Sequence, residues 1–587
     1  MGSHKPSWRN TIPEDWEKGV TQQEYWEQVS FYAELAVSMA SHDMVKLGEL
    51  IDHFDNLPKL SFDRLLEVLS SDAVAGLPED ERLSLWDRLT EFTSKHRRFS
   101  EAKWALNANL LSAIEAVSDK LAPTNLLNLY QHLFSDRDFD LYEENGNREE
   151  QRKKLDGRRQ KAVGEILNLG GIDSVIKFAQ AVESPGQVGH SLGCVANEEI
   201  DKVLLPAYLV SENRKLSFFM SGYVWSRRYT KGWSWADELD KAGWDFGQIG
   251  QFLSYLPFTN DTWDRVTEWL RDSQGVYWLK TTANPYQAGG DLEIAIDKLI
   301  EHGRPHAAIS CLERMRHVKQ PINVGQCVRA LLAALSSSEP SHSTDAYHIV
   351  ELIKVLQENP EVTSDDLFRV EWAYLPLLDH HREAASKLLE SRLASDPEFF
   401  CEVIRLIYRS KKSDDTTNEP SEEMKAIATN AWRLLHKWSN PPGMQEDGSF
   451  NDAKFSNWLQ RVKAICTESG HLEVALINIG EVLIHCPPDT NGLWINRTAA
   501  DALNARDAED MRSGFRTGIF NSRGVHWVDP TGKPERELAT QYRQKAEDVE
   551  NAGYQRFAAT LRELADSYDR EADHVIDEHK RDSFHSA

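Results

Sequence analysis

Apolar residues return along this chain at helical intervals, and glycine or proline interrupts them. Leu292, Ala295, Ile296, Leu299 and Ile300 fall at i, i+3, i+4, i+7 and i+8; Gly303 stops the run, Pro305 restarts it, and Ala308, Cys311 and Leu312 follow. That spacing predicts two helices folded back as a hairpin, each with one apolar face to bury against a neighbour. The pattern recurs. Leu47, Leu50, Ile51 and Phe54 form a stripe closed by Pro58, Ser61 reads as an N-cap for Phe62, Leu65, Leu66 and Leu69, and Leu85, Trp86, Leu89 and Phe92 follow Pro78. Val163, Ile166 and Leu167 run into Gly170-Gly171, expected as a turn before Ile172, Val175, Ile176 and Ala179. Phe455, Trp458, Leu459, Val462 and Cys466 lead over Gly470 to Ala475, Ile479, Val482 and Leu483.

Hairpins that can bury their apolar faces only against one another imply an all-α chain, an irregular α-solenoid of stacked helical hairpins of tetratricopeptide-like or HEAT-like kind. The glycine stops at 170, 303 and 470 are unevenly spaced and the tetratricopeptide consensus is not met, so no fixed repeat period is assigned. Gly518 to Lys533, with Gly524-Val525-His526-Trp527-Val528, is the one stretch expected as an irregular loop or short strand. Two charged helices finish the chain, the second carrying Phe557, Leu561, Leu564, Ala565 and Tyr568; their polar outer faces suit a capping role.

Composition punctuates this into regions. Residues 1–60 hold N-terminal helices, with Met1 to His4 expected to be a cloning remnant on a fragment of a longer protein. Residues 61–300 and 301–410 are helical-repeat regions, the first containing an aromatic-rich segment at 218–278. Ser413 to Pro420 is polar and rich in turn formers, so 411–422 is expected as a linker before a C-terminal helical domain at 423–587.

A chain of 587 residues that is 41% hydrophobic, with 18 Trp and 22 Phe, has the apolar surface to fold into more than one core. Its 67 Lys and Arg against 93 Asp and Glu leave a formal charge of −26, which repels nucleic acid unless cations cluster locally. The densest basic stretch holds Arg152, Lys153, Lys154, Arg158, Arg159 and Lys161, but Glu149, Glu150 and Asp156 sit within it, and a solvated helix face is expected. Six cysteines lie far apart, without zinc-site spacing, and read as buried thiols. There is neither a signal-peptide pattern nor a membrane-length apolar run, and a cytoplasmic location is expected.

The candidate chemistry is sparse. Gly189-His190-Ser191-Leu192-Gly193 matches G-x-S-x-G, the nucleophile elbow of serine hydrolases and acyltransferases, but that elbow follows a buried strand and here the preceding run is helical. The two glycines are therefore expected at a helix turn, and catalysis by Ser191 is the alternative. His380-His381, beside Asp379 and Glu383, is expected at a loop end, because adjacent helical residues point about 100° apart and share one ion poorly. No catalytic, cofactor-binding or metal-binding residue is assigned. Aromatic density between Phe218 and Trp278 leaves two readings, helix-packing core or partner-binding surface; in the second, Trp225, Trp233, Trp235 and Trp244 are the anchors.

His96 to Leu106 (HRRFSEAKWAL), Glu183-Ser184-Pro185, Leu256-Pro257-Phe258 with Thr262-Trp263, Asp396 to Phe400 (DPEFF), Asn521 to Val525 (NSRGV) and Glu535 to Ala539 (ERELA) resemble a family of long helical regions in large bacterial proteins. The resemblance runs from about residue 80 to 575. It implies the C-terminal helical part of multidomain conflict-system or antiphage sensors, whose effector or signalling NTPase module lies toward the N-terminus. Where relatives carry a bulky apolar residue near 186 and a basic one near 190, this chain has Gly186 and His190, which sets the serine motif further apart. The function expected is a non-enzymatic scaffold or sensor region that recognises a protein partner: a phage protein, a host protein, or its own effector domain or subunit. A serine hydrolase using Gly189 to Gly193 and a nucleic-acid-associated accessory subunit are the alternatives.

Overall fold

A computed structural model describes residues 22–585, except 42, 143–146, 289–291, 341–344, 379–385, 413–420, 446 and 525–528. Among these the regular structure is helical; the one β pairing is an isolated bridge between Met444 and Phe450. The all-α expectation holds. The chain divides into two units, residues 1–291 and 292–587.

In the first unit the helices Gln22–Ala40, Met44–Ile51, Lys59–Leu69, Glu79–Arg98 and Ala108–Leu121 pack each on near neighbours in sequence. They enclose a core that includes Leu47, Phe54, Phe62, Leu65, Leu85, Leu89 and Ile114. The stripes read from the sequence are the buried faces. One cap differs: the third helix starts at Lys59 after Pro58, so Ser61 is a buried residue of its first turn rather than its N-cap. Proline fixes φ near the helical value and can donate no hydrogen bond, so the helix begins directly behind it. The break at Gly170-Gly171 is present inside Arg148–Ala181, where Gly171 takes φ 65° and ψ −165°, a conformation for which only glycine is unstrained.

The second unit continues the same short-range logic, its helices packing on neighbours one to three places along the chain. Glu293–Glu301 and Pro305–His317 form the expected hairpin, joined by Gly303 at φ 71°. Asp452–Ser469 ends in Gly470 in the left-handed conformation, and the Gly470 and His471 amides both close on the carbonyl of Cys466. The linker expected at 411–422 does not divide two cores. Phe400, Val403 and Ile404 before it and Ala431, Leu434 and Trp458 after it belong to one buried cluster reaching from Leu375 to Tyr568. Residues 413–420 lie outside the described residues, but Ser410 donates to the Ser469 carbonyl at 2.7 Å and Lys412 to those of Thr467 and Glu468 at 3.0 Å. The polar residues at the start of this stretch thus satisfy the carbonyls at the end of Asp452–Ser469, which have no partner inside the helix. Two polar helices do close the chain, Lys533–Asn551 against Gln555–His585, with Phe557, Leu561, Leu564, Ala565 and Tyr568 buried.

The expected irregular segment at 518–533 is partly corrected. Gly518 to Ser522 belong to the helix Glu509–Ser522, where Gly518 packs closely on the Glu481 backbone; Val525 to Val528 lie outside the described residues.

Candidate partner-binding cleft

Gly189 to Gly193 lie within the helix Pro185–Val195, which follows the helix Arg148–Ala181, so no strand enters the turn that a nucleophile elbow requires. Ser191 is 2% exposed. The glycines are not at a helix turn either. Four residues apart, they lie on one face against the helix Arg214–Lys231: a Cβ on Gly189 would sit 1.9 Å from the Phe219 carbonyl oxygen, and one on Gly193 2.7 Å from the Ser226 Cβ. Gly222 on the opposing helix answers them, its own Cβ position only 2.0 Å from the Gly186 carbonyl oxygen. The motif is a close-packing device in which missing side chains let two backbones touch.

That approach buries a charged network beside it. Asp201, in the first turn of Glu198–Tyr208, is 3% exposed and accepts from the Tyr223 hydroxyl at 2.6 Å, from Arg227 Nε at 3.0 Å and Nη2, and from the Trp235 indole N–H at 3.0 Å. Arg227 Nη1 donates to the Ala196 carbonyl at 3.0 Å. Burial opposes the Arg227 charge, but the bonds to Asp201 outweigh it and hold the guanidinium above its ordinary value; burial and the Asp201 charge both keep Tyr223 protonated. With four donors on one carboxylate, the ion pair meets the condition under which a buried charge is tolerated.

Beside Asp201 opens a cleft of about 420 Å³. Trp235 and Trp244 form aromatic walls, and Glu198, Glu238 and Asp240 stand exposed at its edge, with Lys202 the basic residue in its lining. Lys202 is already paired with Glu199 at 2.8 Å. The opening therefore combines indole surfaces with excess negative charge, a combination that attracts a cation both through the ring quadrupole and through the carboxylates.

The four tryptophans singled out in the sequence do not act together. Trp244 and Trp235 line the cleft, Trp244 half-buried and edge-on to Phe252, Trp235 anchored in the core by its bond to Asp201. Trp233 lies outside it with Arg228 and Arg265 over its ring at 4.4 and 4.3 Å, and Arg265 is clamped in turn by both oxygens of Asp237 at 2.7 and 2.8 Å. Trp225 is half-buried in Arg214–Lys231 and does not reach the cleft. Of the other aromatics of this segment, Tyr223, Phe252, Phe258, Trp263, Tyr277 and Trp278 are buried, whereas Tyr229 and Phe246 are exposed. Half of the aromatics between Phe218 and Trp278 are core, and Phe218, Tyr229 and Phe246 are exposed.

The basic stretch near residue 155 is only partly a solvated face. Arg159 is buried, donating to the Leu133 carbonyl and to Asp138, each at 2.7 Å, while Lys153, Lys154 and Lys161 pair with Glu149, Glu150 and Glu165 one turn away. His380 and His381 lie outside the described residues, and among the described residues no cluster of His, Cys, Asp and Glu could hold a metal ion. No described helix is long and apolar enough to cross a membrane.

No family model and no curated protein matches the chain. Among solved structures, a circular tandem repeat protein with novel repeat topology and enhanced subunit contact surfaces aligns over 94% of this chain and 100% of its own length, at 11% identity and a TM-score of 0.13. So low a score establishes no correspondence between helices, and the all-α architecture stands on the helices described above.

Proposed function

We propose that this chain is a non-catalytic helical scaffold that recognises a protein partner, and that the Trp244 cleft receives a positively charged side chain of that partner. The observation that carries the reading is the cleft itself: aromatic walls and an acidic edge, held on a rigid network, in a chain of formal charge −26. Stacked helices offer broad surfaces for such contacts. The resemblance of residues about 80 to 575 to helical regions of bacterial antiphage sensors supports seeking the partner among phage proteins, host proteins and the effector module of the same system, in the cytoplasm.

The test is capture from infected and uninfected bacterial lysates, comparing the wild-type chain with Trp244→Ala and with Glu238→Lys, both of which alter the cleft without touching Asp201. A partner held by the wild type and released by both variants, at unchanged helical circular dichroism, supports the reading. Equal capture by all three chains, or no partner at all, refutes it.

A further inference from the structure

Of the six cysteines, two meet. Cys401 on the helix Pro397–Ile407 and Cys466 on Asp452–Ser469 are 65 residues apart in sequence, both fully buried, and their sulfurs lie 3.4 Å apart, with the Cys466 thiol donating to Cys401. The two helices pack directly on each other, so the approach is built into the second unit's core. Both cysteines are free thiols here. We propose that Cys401 and Cys466 form a dithiol site that is oxidised reversibly to a disulfide by a small hydroperoxide, covalently joining the chain on either side of residues 413–420.

The chemistry of the surroundings separates this pair from the other buried thiols. Burial pushes Cys311, Cys327 and Cys486 up to about 12, which leaves them protonated and unreactive. Cys466 moves the other way. The Cys401 thiol beside it, which turns to donate once Cys466 ionises, is the largest influence and holds it below the ordinary value; burial opposes this and the nearby Arg405 charge assists. Cys401 is raised by the same contact and by burial, so it remains the protonated partner. In the first step the Cys466 thiolate attacks one oxygen of the hydroperoxide: an S–O bond forms, the O–O bond breaks, and the leaving oxygen departs as water or alcohol after taking a proton. In the second the Cys401 sulfur, losing its proton, attacks the Cys466 sulfur: the S–S bond forms, the S–O bond breaks, and hydroxide leaves as water. Two thiols are oxidised and one hydroperoxide is reduced. A peroxide little larger than water reaches such a site through local opening, which a bulky alkylating reagent follows far more slowly.

The 587-residue chain is exposed to hydrogen peroxide under native conditions, acid-quenched, denatured, alkylated and mapped by mass spectrometry without reduction. The expected result is a chain two hydrogens lighter, with four alkylated thiols in place of six and a cross-linked Cys401–Cys466 peptide that dithiothreitol releases. In Cys401→Ser, where nothing can displace the hydroxyl, dimedone labels Cys466. Six intact thiols, a disulfide between other cysteines, irreversible sulfinic acid at either position in the wild type, or a Cys466 that dimedone leaves unlabelled in Cys401→Ser would each overturn the proposal.

Discussion

Each unit contains one pair of helices brought to backbone contact by a G-x-x-x-G spacing answered by a single glycine opposite. In the first, Gly189 and Gly193 pack on Phe219, Tyr223 and Ser226 while Gly222 packs on Gly186 and His190; in the second, Gly514 of Glu509–Ser522 packs on Ile477 and Gly518 on Glu481, while Gly480 of Leu472–Val482 packs on Met511 and Phe515. The clearances are alike: a Cβ on Gly189 would meet a carbonyl oxygen at 1.9 Å, and so would one on Gly480 or Gly514. What surrounds them differs. The first pair is flanked by Ser191, Ser226 and the Asp201–Arg227 network, the second by Ala475, Ile479, Met511 and Phe515. The same local device thus serves two kinds of interior. Where a charge is buried beside it, the helices must hold position to satisfy four hydrogen bonds on one carboxylate; where the neighbours are mostly apolar, with Asn478 the buried polar side chain on Leu472–Val482, volume is the larger stake.

That contrast can be broken first at its polar end. Asp201→Ala strands the Arg227 guanidinium in the core and is expected to cost about 3–5 kcal/mol in chemical denaturation, the range for removing one partner of a buried ion pair. Loss within the range of an ordinary surface substitution would mean that water reaches Arg227. Next, Gly189→Ala and Gly514→Ala each push a methyl into a backbone carbonyl and are expected to destabilise by about 1–3 kcal/mol. Hydrogen exchange should localise the first loss to residues 185–231 and the second to residues 472–522. If the two variants loosen the same peptides, the units do not respond independently. Gly157→Ala and Gly164→Ala supply the counter-case, since no atom lies within 4 Å of either Cβ position on the helix Arg148–Ala181. Both are expected to raise stability, by about 0.5–1 kcal/mol, as alanine restricts the unfolded chain.

A further expected effect is on pH dependence. In the second unit, burial raises the Glu390 carboxyl to about 7, with Glu371 adding to it. Its folded form holds a proton that its unfolded form, near 4.5, has released, so stability from this group is full below about 4.5 and is lost as pH rises to about 7. Glu390→Gln should flatten that decline. In the first unit shifts of both signs occur, with His96 and His190 lowered by burial as His132 is. Burial, then Glu91, raises Asp87 to about 6, which also costs stability as pH rises from about 3.8 to 6; burial lowers His132 to about 4, which costs stability as pH falls from about 6.5 to 4. Amide protection factors around Glu390 should therefore fall as pH rises from about 4.5 to 7 in the wild type and stay flatter in Glu390→Gln, and equal slopes in the two chains would count against this assignment.

Much of the architecture was legible because it is local. The stripe from Leu292 to Leu299, the stops at Gly303 and Gly470 and the restart at Pro305 depend on periodicity, left-handed glycine and proline geometry, which act within a few residues. The candidate site was half-legible: aromatic density marked the region, but only packing distinguished Trp235 and Trp244, which line the cleft, from Trp233 between two arginines. The glycines of the serine motif were conspicuous in the sequence, and their role was misplaced because helix-turn glycine and helix-contact glycine are identical letters.

By itself, then, the sequence determined that this chain is helical, where several of its helices stop, and that it carries a formal charge of −26. Tertiary structure alone decided which carboxylate would be buried with Arg227, which glycines would touch backbone, and which two of six thiols would meet. Helix propensity and capping are settled within a turn or two of chain, whereas Asp201 and Arg227, 26 residues apart, and Cys401 and Cys466, 65 apart, are brought together only by the packing of whole helices.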